Sequence, residues 1–214
     1  MTRSPSLSFL DDDDLADATL ADLELHGVRA EIAIHADGVP ALHLVGSGMS
    51  AYDQRLAILP YAAFGDGSID ATLSGDTLPD AAPDARGFVG VAFHVGAPGE
   101  PFEVMWLRPT NGRADDQLRR NHAVQYAAYP NHWWDRLRRE SPGVYESYVD
   151  LVPGALTAVR IAIAGERARL YVGQYEQPVL LVNDLKLGSR TGRAAIWIGD
   201  GTDAWVSRAR VRRS

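Results

Sequence analysis

Short stretches of alternating apolar and polar residues, each closed by Gly, Asp or Pro, recur along nearly the whole chain. They restrict it to antiparallel strands. Residues 28–34 and 39–45 flank Ala36-Asp37-Gly38, and Asp-Gly between two such runs predicts a hairpin. A second hairpin is expected at Ala164-Gly165-Glu166, between residues 156–164 and 167–172. Further strands are expected at 68–74, 87–95, 102–108, 123–128, 178–182, 194–198 and 204–211. So many short strands with so little helix in 214 residues predict an all-β fold, a two-sheet antiparallel β-sandwich.

Composition narrows the function classes. With 46% hydrophobic residues the chain can build a packed core. No Pro, Ser or Gly linker divides it, so one domain is expected over 21–214 after an N-terminal arm, 1–20, whose Asp11-Asp12-Asp13-Asp14 run reads as solvated. The absence of Cys excludes disulfides, thiolate metal sites and Cys nucleophiles. A net charge of -7 argues against general nucleic-acid binding, which depends on neutralising phosphates. No apolar run approaches the roughly 20 residues of a membrane span, and residues 1–20 lack a basic start with an apolar stretch. A cytoplasmic location without membrane contact is therefore the expectation.

Residues 109–150 interrupt the strand pattern. Pro109-Thr110-Asn111-Gly112 reads as a turn, and residues 133–140 as two helical turns stopped by Ser141-Pro142-Gly143. Long excursions between sandwich strands are usually functional or disordered. This one is too rich in Trp and Tyr for disorder, so it is expected to fold over a sheet.

Strand parity indicates which sheet. In residues 87–95, Val89, Val91, Phe93 and Val95 form one face, and Phe88, Gly90, Ala92 and His94 the other. The first set is the natural core, and the second leaves room above the sheet. By the same rule Ala194, Ile196 and Ile198 are core opposite Trp197; in residues 102–108 the choice stays open, and Met105 and Leu107 as core would put Val104, Trp106 and Arg108 on the other side. A face of small residues flanked by Trp, His and Arg is how a sugar-binding concavity is made: aromatic planes meet the C–H faces of the rings, and planar polar groups take the hydroxyls. The plainer alternative is that these aromatics only pack beneath the insertion.

Several segments carry a resemblance. They are Arg86-Gly87-Phe88, Phe102-Glu103, residues 107–117, Arg119-Arg120-Asn121-His122, residues 145–150, residues 182–188 and Trp197-Ile198-Gly199. Through them the chain resembles a bacterial family with the concanavalin A-like lectin/glucanase jelly roll. That family is related to laminin-G-like domains and to the 3-keto-disaccharide hydrolase-like domain group. The resemblance implies a jelly roll and a carbohydrate context, on a fold that hosts lectins, glycosidases and adhesion modules alike. The Glu-x-Asp-x-x-Glu strand of the fold's retaining glucanases is absent, so that mechanism is not implied. Many jelly rolls hold a structural calcium, for which Asp115, Asp116 or Asp200-Gly201-Thr202-Asp203 would supply oxygens, although such runs more often make turns. No other cofactor and no catalytic metal are expected; His122 and His132 lack a zinc spacing.

Residues 106–148 hold seven of the thirteen Trp and Tyr residues, and residues 106–140 hold seven Arg against four acids. Planar guanidinium forks suit an anionic or keto-bearing ligand. An internal lattice of Asp115, Asp116, Asp135 and Glu140 with Arg113, Arg119, Arg120 and Arg139 is the structural alternative. Asp116, His122 and Glu146 are the acid/base candidates, since His exchanges protons near neutral pH and a glycosidase needs two carboxyl groups. Arg108, Asn111 and Arg113 are expected to position the ligand, and Trp106 and Trp134 to stack on it. His94, Arg120, Gln125, Tyr126, Tyr148 and Trp197 complete the expected lining. The function expected is acid/base chemistry on a glycoside or related small polar or anionic molecule. A lectin-like module without chemistry is the second reading and a protein-interaction domain the third. Oligomeric state is left open.

Overall fold

A computed structural model describes residues 10, 18–47, 54–174 and 176–214; the Asp11–Asp14 run lies outside them. Among the described residues fourteen strands form two antiparallel sheets of seven. The first sheet has the order β1 (Glu24–His26), β4 (Leu56–Ile58), β13 (Arg193–Ile198), β6 (Val89–Val95), β7 (Phe102–Leu107), β8 (Val124–Tyr129) and β9 (Glu146–Ser147). The second has the order β12 (Leu180–Val182), β11 (Arg167–Val172), β10 (Thr157–Ala164), β5 (Gly67–Thr77), β14 (Thr202–Arg213), β3 (Pro40–Gly46) and β2 (Val28–Ile34). This is the expected two-sheet β-sandwich.

The second sheet is half-solvated, and its strands show it. Burial alternates along β10, where Val159, Ile161 and Ile163 are buried, and along β11, where Ala168, Leu170 and Val172 are. The expected hairpins close at Gly38, φ +79°, and Gly165, φ +57°, a backbone region that glycine enters without a Cβ clash. The first sheet behaves differently: every residue of β6 and β7 is buried. One face meets the second sheet, for Val89 lies so close to Gly75 of β5 that a Cβ there would stand 2.8 Å from its side chain. The other face is covered by the insertion between β7 and β10.

The insertion folds as three short helices around β8 and β9. The turn expected at 109–112 is a single helical turn, α1 (Pro109–Gly112), begun by proline at its first position. Next comes α2 (Gln117–Asn121), capped by Asp116, whose Oδ1 accepts from the Arg119 amide at 3.1 Å. The expected helical turns are α3 (Trp134–Glu140), which stops at Ser141 before Pro142. Leu137 of α3 is buried and anchors the helix to the sheet.

Candidate functional site

Strand register builds the floor of the site. His26, Leu56, Trp197, Gly90, Trp106, Gln125 and Glu146 are successive pairing partners, a single row across all seven strands of the first sheet. Gly90 stands in this row between Trp197 and Trp106. A Cβ there would come within 2.6 Å of Trp106 Cβ. Its absence lets the two indoles meet with centroids 5.0 Å apart. Trp133, just before α3, adds a third indole 5.6 Å from Trp106 and 6.1 Å from Trp197. Trp106 and Trp197 are each 2% exposed. The room that parity predicts above Gly90 is thus filled by the floor itself, and the part-exposed rings are Phe88 and Trp134.

A polar wall rises beside this floor. Arg108 crosses the faces of Trp106 and Phe88 with its guanidinium carbon 5.3 and 5.8 Å from their centroids. It donates to the His122 carbonyl at 3.1 Å and to Gln125 Oε1. Arg138 lies 5.0 Å over Trp134 and donates both arms of its fork to Glu146, Nε to Oε1 at 2.9 Å and Nη2 to Oε2 at 2.6 Å. The same carboxylate is 3.6 Å from Arg108 Nη1 and 3.4 Å from His122 Nε2. Asn111 donates to the His122 carbonyl at 3.2 Å and accepts from Arg119 Nε at 3.3 Å. The structure therefore brings Arg108, Asn111, His122 and Glu146 together.

Between floor and wall lies a cavity of about 390 Å³, within the range of small-molecule sites. Its lining includes Arg86, Arg108, Arg119 and Arg138 together with His122, against the carboxylates of Asp84 and Asp200. Burial pulls the pKa of Arg108 down, and the charges of Arg138 and Arg86 pull it further, while Glu146 opposes them. Arg86 is lowered by burial and then by Arg119. The guanidiniums of the cleft thus repel one another. Beneath them the indole nitrogens of Trp106 and Trp133 are buried without an acceptor.

Burial also lowers the pKa of His122, assisted by Arg138 and Arg108 against Glu146. Its folded value is therefore below the roughly 6.5 of an unfolded chain. As pH falls from about 6.5 the unfolded chain takes up this proton first, so stability should drop and then level off once folded His122 is protonated. His132 shifts the same way, by burial and by Arg136. The urea midpoint is expected to fall between pH 7 and pH 5. His122→Gln should flatten part of that slope and leave the contribution of His132; an unchanged slope would remove His122 as its source.

Other residues expected at the site stand elsewhere. Asp116 caps α2, and Arg113 pairs with Asp150 in the open, Nε to Oδ1 at 2.7 Å. Arg120 packs over Tyr148 at 5.1 Å and donates to its hydroxyl at 2.9 Å, outside the cleft lining. Gln125 is fully buried beneath the wall. His94 takes part in an internal cluster, with Nδ1 2.7 Å from Glu103, whose other oxygen accepts from the Tyr126 hydroxyl at 2.6 Å. A bulge directs it there: Phe93 and His94 span the space of Ala194 alone, and His94 has φ +57°. Of the aspartates considered for calcium, Asp200 is 3.1 Å from Arg55 and Asp203 is 2.6 Å from His43. Among the described residues no group of three or more His, Asp or Glu is arranged to hold a metal ion.

Residue-by-residue reading missed Arg86, Arg119, Trp133 and Arg138 as cleft residues, while Phe88, placed by parity on the open face, lines the cleft. Arg119 and Arg138 belong to the arginine-rich stretch and Trp133 to the aromatic one, so density was the available signal. Arg119 lies on α2 and Arg138 on α3, so the choice within each stretch depends on how those helices fold.

Together, fold and cleft define a two-sheet jelly roll whose outer face is roofed by an insertion. No protein-family model matches the chain, and no curated protein does. Among solved structures it is similar to the carbohydrate-binding module CBM66 from Bacillus subtilis, with a TM-score of 0.56 and 9% identity over 88% of this chain and 97% of that one. It is also similar to a protein of unknown function with a galectin-like fold from Bacillus subtilis, with a TM-score of 0.53 and 13% identity over the full length of both. At these identities the likeness is one of fold. Among the described residues no helix is long and apolar enough to cross a membrane.

Proposed function

We propose that the cleft binds an anionic saccharide or a comparable small sugar acid, and that the chain acts as a carbohydrate-binding jelly-roll protein. The observation that carries this reading is the gathering of four guanidiniums around one aromatic-floored cavity, where Arg138 and Arg86 repel Arg108 and Arg119 repels Arg86. A ligand carboxylate or phosphate relieves that repulsion, and a neutral sugar does not. The part-exposed rings of Phe88 and Trp134 offer apolar surface to the sugar's C–H groups. The likeness in fold to a carbohydrate-binding module agrees with the reading.

Glu146 supports binding more than acid/base work. Both its oxygens face guanidinium donors, and it is absent from the cavity lining. Asp116 is engaged as a helix cap. Neither carboxyl group expected to do acid/base work, Asp116 or Glu146, therefore lines the cleft, whose carboxylates are Asp84 and Asp200. A second reading keeps His122 as a proton-transferring group, because it lines the cavity and its lowered pKa favours the neutral base near pH 7. Kinship with the 3-keto-disaccharide hydrolase-like group belongs with this second reading.

Calorimetry against matched uronate and neutral oligosaccharides tests the first reading. Uronates should bind, and Arg86→Gln or Arg119→Gln should weaken them by about tenfold each, the scale of one charge-assisted contact. Equal or tighter binding of neutral sugars would overturn the anionic assignment. Product release that disappears in His122→Gln would move the reading to an enzyme.

A further inference from the structure

The second sheet carries a charged face that the cleft does not use. Register sets Arg160 opposite Asp70 and Tyr171, Arg169 opposite Ala162, and Arg208, Arg210 and Arg212 opposite Thr72, Asp70 and Ser68. The residues between them, Ile161, Ala168, Ala209 and Val211, are buried, so these arginines stand on the solvent side together with Arg167. Six arginines thus share one sheet face in a chain of net charge -7.

Acid is sparse among them, and Glu31, Asp76 and Asp203 stand toward the other end of the same face. Asp70 stands in their midst and pairs with Arg160 Nε at 2.6 Å and with Arg212. Asp66 and Glu166 lie at the β10–β11 turn, where Asp66 accepts from the Gly165 amide at 2.8 Å. Arg169 donates to the carbonyls of Ala168 and Val182, each at 3.1 Å, and to Asn183 Oδ1 at 3.0 Å. Arg208 and Arg210 make contacts of their own. What sets the face apart is its density of positive charge.

We propose that this face binds an extended acidic polysaccharide bearing sulfates or carboxylates. Arginines at alternate positions of β14 make a row of positive charge along the strand, which suits a chain carrying many anions. Between them stand the short side chains of Ser68, Thr72, Ala158 and Ala162 beside Tyr171, and among the described residues no helix lies in this sheet's strand order to enter a duplex groove. Leu181, half exposed opposite Arg169, offers far less apolar surface than an interfacial membrane anchor. The preference for a saccharide over a single-stranded nucleic acid rests on the cleft reading; the charge of the face does not.

The test titrates the full chain with fluorescein-labelled polyuronate and sulfated polysaccharide at low and at physiological ionic strength. The combined variant Arg160→Gln, Arg169→Gln, Arg212→Gln, checked for folding by circular dichroism, should bind at least about tenfold more weakly. Its affinity for short uronates in the cleft should stay unchanged. Arg86→Gln should do the reverse, which separates failure of the face from failure of the cleft. Absence of polysaccharide binding by the full chain, or full binding by the triple variant, overturns the proposal. So does preferential binding of a single-stranded DNA oligomer or of anionic vesicles with the same dependence on the three arginines.

Discussion

Replacing Glu146 with Ala is expected to lower the unfolding free energy by about 3–5 kcal/mol, the scale seen when one partner of a buried ion pair is removed. The carboxylate is 6% exposed and faces Arg108, which is 5% exposed. Once it is gone, Arg108 remains as a buried cation whose nearest charges are the like charges of Arg138 and Arg86. The polar partners left to it, the His122 carbonyl and Gln125 Oε1, are neutral. Glu146→Gln keeps one acceptor in place and should cost less. Urea unfolding of both variants measures the difference. A loss under about 1 kcal/mol in Glu146→Ala would show that Arg108 is compensated elsewhere.

Trp106→Ala should cost a similar amount, about 3–5 kcal/mol, by leaving a cavity under the cleft. Its indole is 2% exposed and touches Trp133, Trp197 and the guanidinium of Arg108. Removal would let the floor sag and would free Arg108 from its stacking surface, so uronate affinity should fall together with stability. Trp134→Ala serves as the contrast: that ring is half-buried and packs under Arg138, so stability should change less than affinity. If both variants lose only stability, the aromatic floor is packing and not part of recognition.

The strands of the second sheet were the most legible in the sequence. Residues 28–34 and 167–172 match β2 and β11 end to end, because one solvated face forces alternation and a glycine turn closes each hairpin. β4 left no such trace: Leu56, Ala57 and Ile58 are all buried, and three apolar residues in a row have no period. β1 and β9, of three and two residues, were likewise too short to read.

Parity put Trp197 with Gly90 and left residues 102–108 between two assignments, which the register resolves by pairing Trp106 with Gly90. It failed for His94, where the bulge adds a residue and shifts the side chain into the Glu103 cluster. The approach of Glu146 to Arg108, 38 positions apart, depends on the pairing of β8 with β9, which no local pattern encodes. The density of Arg and aromatics marked the right stretch, and only the folded helices select which members face inward.

Glu146, which steadies both Arg108 and Arg138, belongs to a margin strand of two residues held by pairs to Val124 and Gln125. Peripheral strands fray with little free energy, and here fraying would carry away the counterion of two cleft cations. The readiness of the cleft therefore hangs on the least-zipped seam of the sheet, and backbone amide exchange along that seam should report on how often the site comes undone.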